Sequence, residues 1–325
     1  MGCSAVVLGA SGYAGGEVLR LLSAHPGIEV TAAAAGERAG APVAAVHPQL
    51  RGATELQLVG LEAALAADAD VCFSCLPPRR LRAHHGDLGA AVVVDLSDDF
   101  RGPEHQGEWV YGLTEYARAE LRYATKIANP GCYPTASLLC LAPFARAGII
   151  GGPVTIDALS GVSGAGRAPQ DRFLFSGLAA NATAYGPIEH RHVAEMERGL
   201  ATFGGAPLQV SFTPHLVPMA RGLLVTARAP LQGSLTDEEA LQVLEEAYAG
   251  EPFVSVSPEW PATKPVAGTN RAHLSGRVDT RNNLLVASAA IDNLGKGAAG
   301  QAVQNANLAL GLDEQLGLGS LGVWP

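Results

Sequence analysis

Residues 4–8 form a short apolar run rich in valine that passes directly into Gly9-Ala-Ser-Gly12-Tyr-Ala-Gly15. Next comes Glu17-Val-Leu-Arg-Leu-Leu22, whose apolar spacing is helical. A strand, a glycine turn and a helix in that order open a doubly wound parallel sheet. In such a turn the backbone amides approach a pyrophosphate and the helix N-terminus offers partial positive charge. The spacing is G-x-x-G-x-x-G rather than G-x-G-x-x-G, so a merely tight turn is the competing reading. If a dinucleotide sits there, Gly9, Ser11, Gly12, Tyr13, Ala14 and Gly15 face it.

Further strands are expected at 29–35, 70–76 and 91–96, and a short one at 126–128 that runs into Asn129-Pro-Gly-Cys132. After the second strand stands Gly36-Glu37-Arg38. An acid at that position holds the 2′-hydroxyl of NAD, an arginine the 2′-phosphate of NADP, and neighbouring residues cannot both face the ribose. From residue 135 the chain reads as a helix, then as strands at 154–160, 209–213, 222–229, 253–256 and 284–291. That pattern implies a helix-backed sheet of mixed direction. Thr236-Asp-Glu-Glu239 is a capping box opening a helix that ends at Gly250, and the last helix covers 298–310.

The chain has 325 residues, 48% of them hydrophobic and 16% charged, enough for two domains with cores of their own. A net charge of −9 gives no reason to expect nucleic acid or a membrane surface as partner, so an anionic ligand must be caught locally. Five cysteines fit a reducing compartment, and the cytoplasm is expected. No stretch is long and unbroken enough for a membrane span. Cys72 and Cys75 form a C-x-x-C inside an apolar strand with no second pair, so no metal is expected.

Cys132 stands where a strand meets a helix, and a helix N-terminus favours the thiolate, which makes it the candidate nucleophile. His190-Arg-His192 followed by Glu195 is the densest imidazole cluster, suited to acid–base work or simply a solvated helix start. Ser160-Gly-Val-Ser163-Gly164-Ala-Gly-Arg167 brings hydroxyls, flexible backbone and a guanidinium together, which suits an anionic substrate.

Taken with Val94-Asp-Leu-Ser-Asp-Asp-Phe-Arg101, Tyr111-Gly-Leu-Thr-Glu115, Phe212-Thr-Pro-His-Leu-Val-Pro218, Arg221-Gly222 and Asp292-Asn-Leu-Gly-Lys-Gly297, these motifs resemble the N-acetyl-gamma-glutamyl-phosphate reductases of arginine biosynthesis. The resemblance implies a Rossmann-type parallel sheet plus an α+β catalytic domain, similar to glyceraldehyde-3-phosphate and aspartate-semialdehyde dehydrogenases. It places the NADP-binding domain at 1–131 and 292–325 and the catalytic and oligomerisation domain at 132–291, in a homodimer or homotetramer. It implies reduction of an acyl phosphate to an aldehyde with NADP(H), through a thioester on Cys132 and with a histidine, His190 or His192, as acid/base. His190 is preferred because Glu195 is better placed to anchor His192. Arg38, Pro77 and Asn293 join the cofactor residues, and Arg101, Asn129, Ser160, Ser163, Gly164, Arg167 and Tyr185 join those at the substrate. The chain departs from the family at Leu76-Pro-Pro-Arg-Arg80, where Leu-Pro-His-Gly is usual, and Tyr185 stands one residue nearer the histidines than expected. The related lysine-pathway reductase of an aminoadipyl phosphate, and a Rossmann nucleotide sensor that needs no nucleophile, are the alternatives.

Overall fold

The computed structural model describes residues 2–84, 88–319 and 321–323. It divides into two compact units, Met1–Gly131 with Ala298–Gly319, and Cys132–Gly297 with Ser320–Pro325. The return to the first unit thus falls at Ala298 rather than at Asp292, because the turn after the last strand of the second unit is tied into that unit by Asp292 and Asn293.

In the first unit seven strands make one wholly parallel sheet: β1 (Cys3–Leu8), β2 (Ile28–Ala34), β3 (Leu58–Val59), β4 (Ala69–Ser74), β5 (Ala90–Asp95), β6 (Val110–Tyr111) and β7 (Lys126–Ala128). Their order is β3-β2-β1-β4-β5-β7-β6, so the winding reverses between β1 and β4, where open α/β sheets bind ligands beyond their strands' carboxyl ends. The inner strands read as near-continuous Val and Ala because both faces are buried. Val6, Leu8, Cys72, Val93, Phe100 and Trp109 belong to one core cluster, with the Phe100 and Trp109 rings stacked at 3.8 Å. The helix Gly300–Ala309 is buried almost throughout, polar residues included. Asn305 donates to the carbonyl of Gly112 at 2.8 Å and accepts from the Thr114 hydroxyl at 2.7 Å.

The second unit holds β8 (Val154–Ser160), β9 (Thr183–Ala184), β10 (Val210–Leu216), β11 (Leu223–Pro230), β12 (Val254–Val256), β13 (Ala272–Asp279) and β14 (Leu284–Ile291), in the order β12-β13-β14-β11-β8-β10-β9. The sheet is mixed: β13, β14, β11 and β8 pair antiparallel in succession, β12 with β13 and β8 with β10 pair parallel, and β9 with β10 antiparallel. The helices Cys132–Arg146, His192–Phe203 and Asp237–Ala247 pack on this sheet, the last opened by the Thr236–Glu239 capping box. Every residue from Tyr133 to Ala145 is buried, so the first of these helices is apolar all round rather than amphipathic. It starts at Cys132, three residues before the expected position, because Pro134 is tolerated in a first turn that needs no intrahelical N–H. Strand β13 escaped the sequence reading because Gly276 interrupts its pattern. A Cβ there would lie 3.3 Å from the Phe144 ring, so the glycine marks a close approach rather than a break.

Candidate active site

The glycine turn of the first unit is built by packing. Gly9 takes φ +73°, and a Cβ on it would run into the Cys75 carbonyl. A Cβ on Gly15 would sit 2.8 Å from the Ala10 Cα. Gly12 is different: its φ is −77° and a Cβ would meet nothing nearer than the Gly9 oxygen at 3.4 Å. Its missing side chain is therefore not demanded by the protein's own packing and leaves room for a ligand. The helix Tyr13–Leu22 begins there without a side-chain cap, so the N–H groups of Tyr13, Ala14 and Gly15 have no intrahelical acceptor. His47, absent from the sequence reading, supports the turn: its Nε2 bonds the Ala10 carbonyl at 2.6 Å and its ring fills the space beside Gly16. Glu37 and Arg38 are both exposed in a short turn after β2, and Pro77 is exposed after β4. Taken together, a cradle that a side chain would fill, free amides and an exposed arginine fit a nicotinamide dinucleotide phosphate.

At the carboxyl ends of β5 and β7, Arg101 is buried and donates from Nε to the Asn129 carbonyl at 2.8 Å and from Nη2 to the Leu96 carbonyl at 2.9 Å. Beside it, burial pushes the Asp95 carboxyl up to about 6, against the opposing pull of the Ser97 hydroxyl, which donates at 2.6 Å. Asn129 is fully buried, with its side chain engaged by Asn305 and the Ala298 carbonyl, which holds the Asn-Pro-Gly segment in place.

In the second unit Cys132 heads a 15-residue helix. Gly297 presses against it, since a Cβ there would lie 2.8 Å from the Cys132 Cβ. Tyr133 and Tyr185, the latter tied to the Pro214 carbonyl through its own N–H, share a hydroxyl bond of 2.6 Å, and the Ser160 hydroxyl also bonds Tyr133. Burial holds both phenols above their usual range and negative charge on Cys132 would add to this, so both stay protonated. The His190 ring lies 5.6 Å from Tyr133, 6.0 Å from Tyr185 and 4.8 Å from His192, centroid to centroid. His190 precedes the helix that His192 begins, and its Nδ1 accepts the His192 backbone N–H at 3.2 Å. Burial, reinforced by Arg191, lowers its pKa despite the opposing charge of Glu195. With Nδ1 accepting, the neutral ring carries its proton on Nε2, which is then a donor. His192 and Glu195 are both buried on one face of their helix. That helix approaches the Cys132 helix closely because Gly199 leaves room for Leu138.

Ser163 and Gly164 lie in the loop after β8, and Arg167 is exposed beyond it. Asn293, expected at the cofactor, is buried in the second unit. Its Nδ2 donates to Ser163 Oγ at 2.9 Å and its Oδ1 accepts from the Gly222 N–H at 2.8 Å, which braces the loop. The structure thus groups Cys132, Ser160, Tyr185, His190 and His192 around Tyr133, a residue the sequence reading did not single out. Its position next to the nucleophile was the available signal.

A nucleotide-type turn in one unit and a helix-borne cysteine among phenols and imidazoles in the other define an oxidoreductase of the semialdehyde dehydrogenase class. The family described as semialdehyde dehydrogenase, NAD binding domain, matches residues 4–124, and the semialdehyde dehydrogenase dimerisation domain matches residues 132–293. Aspartate semialdehyde dehydrogenase II of Vibrio cholerae shares the fold with a TM-score of 0.77 at 18% identity, over 95% of this chain and 98% of its own. The N-acetyl-gamma-glutamyl-phosphate reductase of Acidothermus cellulolyticus is 43% identical over 344 residues, covering 100% of both chains. That of Mycobacterium avium is 44% identical over 341 residues and 98% of each. The chain belongs to the N-acetyl-gamma-glutamyl-phosphate reductase family.

Proposed function

We propose that the chain reduces N-acetyl-L-glutamyl 5-phosphate to N-acetyl-L-glutamate 5-semialdehyde and phosphate with NADP(H), through a thioester on Cys132. The observation that carries this reading is Cys132 at the start of a buried helix, with two protonated tyrosines close enough to feel its charge and His190 packed against both of them. The Cys132 thiolate, favoured by the helix N-terminus, attacks the acyl carbon and the C–O bond to phosphate breaks. Arg101, fixed on two carbonyls, is assigned to the departing phosphate. When bound, NADP(H) would be held by the Gly9–Gly15 turn with Arg38 toward its 2′-phosphate, and would supply the hydride that takes the thioester to the aldehyde level. His190, through Nε2–H, stabilises the oxyanion at the acyl carbon, and collapse of that oxyanion breaks the C–S bond and returns the Cys132 thiolate. Neither the aminoadipyl reading nor the nucleotide sensor is favoured, since the full-length relatives carry the N-acetyl-gamma-glutamyl-phosphate reductase name.

We also propose a homodimer or homotetramer. The face of the second sheet opposite the helices carries Leu159, 38% exposed, with Leu224 and His215 in register on either side, which suits pairing with a second copy. Five free cysteines accord with a cytoplasmic enzyme, and no helix among the described residues is long and apolar enough to cross a membrane. The test is NADP-linked oxidation of N-acetylglutamate semialdehyde in the presence of phosphate. Turnover that requires phosphate supports the reading, and none at any phosphate concentration overturns it.

A further inference from the structure

The chain leaves β4 directly beside the glycine turn. The Cys75 N–H bonds the Leu8 carbonyl at 2.8 Å, and a Cβ on Gly9 would lie 3.0 Å from the Leu76 nitrogen. Arg79 stands three residues beyond Leu76, no more than about 11 Å of chain from that contact. The Arg80 N–H bonds the Pro77 carbonyl at 3.3 Å, so residues 77–80 close a β-turn with Pro78 second and Arg79 third. Arg79 takes φ +69°. Proline followed by a left-handed residue is the pattern of a type II turn, whose third position favours glycine. An arginine in that place strains the backbone.

Asp99 holds this conformation in place. Its buried carboxylate accepts the Arg79 N–H at 2.7 Å from each oxygen, and its own N–H bonds the Ser97 hydroxyl at 3.1 Å. The main chain at Arg79 is thus pinned from the loop after β5, which is how a left-handed residue other than glycine persists. The side chain is a separate matter. Arg82 is committed to the Asp99 carbonyl, the Glu104 carboxylate and the face of the Phe100 ring. Arg79 is exposed, and among the described residues its guanidinium has no hydrogen-bond or salt-bridge partner. A long cationic side chain is therefore kept on a turn suited to glycine, at the carboxyl end of β4, where the order of the sheet reverses.

We propose that Arg79 pairs with the pyrophosphate of the dinucleotide held by the Gly9–Gly15 turn. This rests on the dinucleotide reading of that turn. The turn supplies backbone amides alone, and a net charge of −9 leaves the countercharge for a pyrophosphate to be supplied locally. Arg80 is not among the left-handed residues, so no strain is kept for its side chain and it is assigned no such part. Because NAD+ and NADP+ share the pyrophosphate, Arg79 sets the affinity for both, whereas Arg38 sets the choice between them.

The experiment measures the Kd of NADP+ and of NAD+ by calorimetry, and the melting temperature of the unliganded protein, for wild type, Arg79→Gly, Arg79→Asn and Arg80→Gln. Glycine and asparagine both accept a left-handed backbone, and asparagine does so without the added freedom of glycine. Arg79→Gly is expected to raise the melting temperature by about 1–4 °C as the strain is relieved. At the same time it should raise both Kd values on the order of 10-fold. Arg79→Asn should weaken binding by a similar factor, and Arg80→Gln by less than about 2-fold. A gain in stability with no change in either Kd, as a turn without a ligand would give, overturns the proposal. So does a loss confined to NADP+, which would move Arg79 to the 2′-phosphate. A change only in KM for inorganic phosphate, in the NADP-linked oxidation of N-acetylglutamate semialdehyde, would move Arg79 to the acyl phosphate and overturns it too. A wild type that binds neither dinucleotide overturns the reading of the glycine turn, and this proposal with it.

Discussion

Tyr133 and Tyr185 stand 52 positions apart in the chain and meet hydroxyl to hydroxyl at 2.6 Å. The bond ties the first turn of the nucleophile's helix to the segment that leads into the histidines. Each phenol is held protonated mainly by burial. Tyr133→Phe and Tyr185→Phe should each cost about 1 kcal/mol of stability. Because they remove the same bond, the double variant should fall short of the sum by a comparable amount. Denaturant unfolding of the four proteins measures this coupling, and simple additivity would show that the bond contributes nothing.

His190 titrates below the ordinary histidine value, with burial the main cause and Arg191 the second. The folded protein therefore binds this proton less readily than the unfolded chain does. Stability linked to His190 is complete above about pH 6.5 and declines as the pH falls below that value toward the lowered folded pKa. Arg191→Gln should raise the His190 pKa, and an NMR titration of its ring reads the shift directly. A His190 pKa above 6.5 in the wild type would contradict the neutral donor assigned to it. His190→Asn should slow turnover by roughly 10²–10³-fold, the usual effect of removing an oxyanion donor.

The glycine turn separates folding from binding. Gly15→Ala forces a methyl against the Ala10 Cα and should destabilise the protein by about 1–3 kcal/mol. Gly12→Ala meets only ordinary contact and should leave stability within about 0.5 kcal/mol while weakening NADP+ binding about 10-fold or more. Calorimetry of the two variants decides, and normal NADP+ affinity in Gly12→Ala would remove the turn from the site.

Arg38, exposed in the turn after β2, is expected to pair with the 2′-phosphate while Glu37 turns away. Arg38→Ala should erase most of the preference for NADP+ over NAD+. Equal use of both by the wild type would contradict the assignment.

The glycine turn and Cys132 were legible because their signals are local: a strand, a turn and a helix follow one another within about twenty residues. The mixed second sheet was legible as a class, yet β13 was not, since Gly276 looks like a breaker until Phe144 is seen against it. Tyr133 with Tyr185, Arg221 with Asp292, and His47 under the Ala10 carbonyl are contacts between distant positions, and no spacing rule links them. The bonds of the Asn293 amide to Gly222 and Ser163 were out of reach of the sequence for the same reason, since its motif shows a conspicuous asparagine and not its partners.

The covalent role of Cys132 is tested most directly by intact-protein mass spectrometry. The protein is mixed with N-acetylglutamate semialdehyde and NADP+ in the absence of phosphate. Oxidation then stops at the thioester, and the account predicts one N-acetylglutamyl group on Cys132, released on adding phosphate and absent from Cys132→Ala. Acylation at another residue, or full phosphate-dependent turnover by Cys132→Ala, would contradict it.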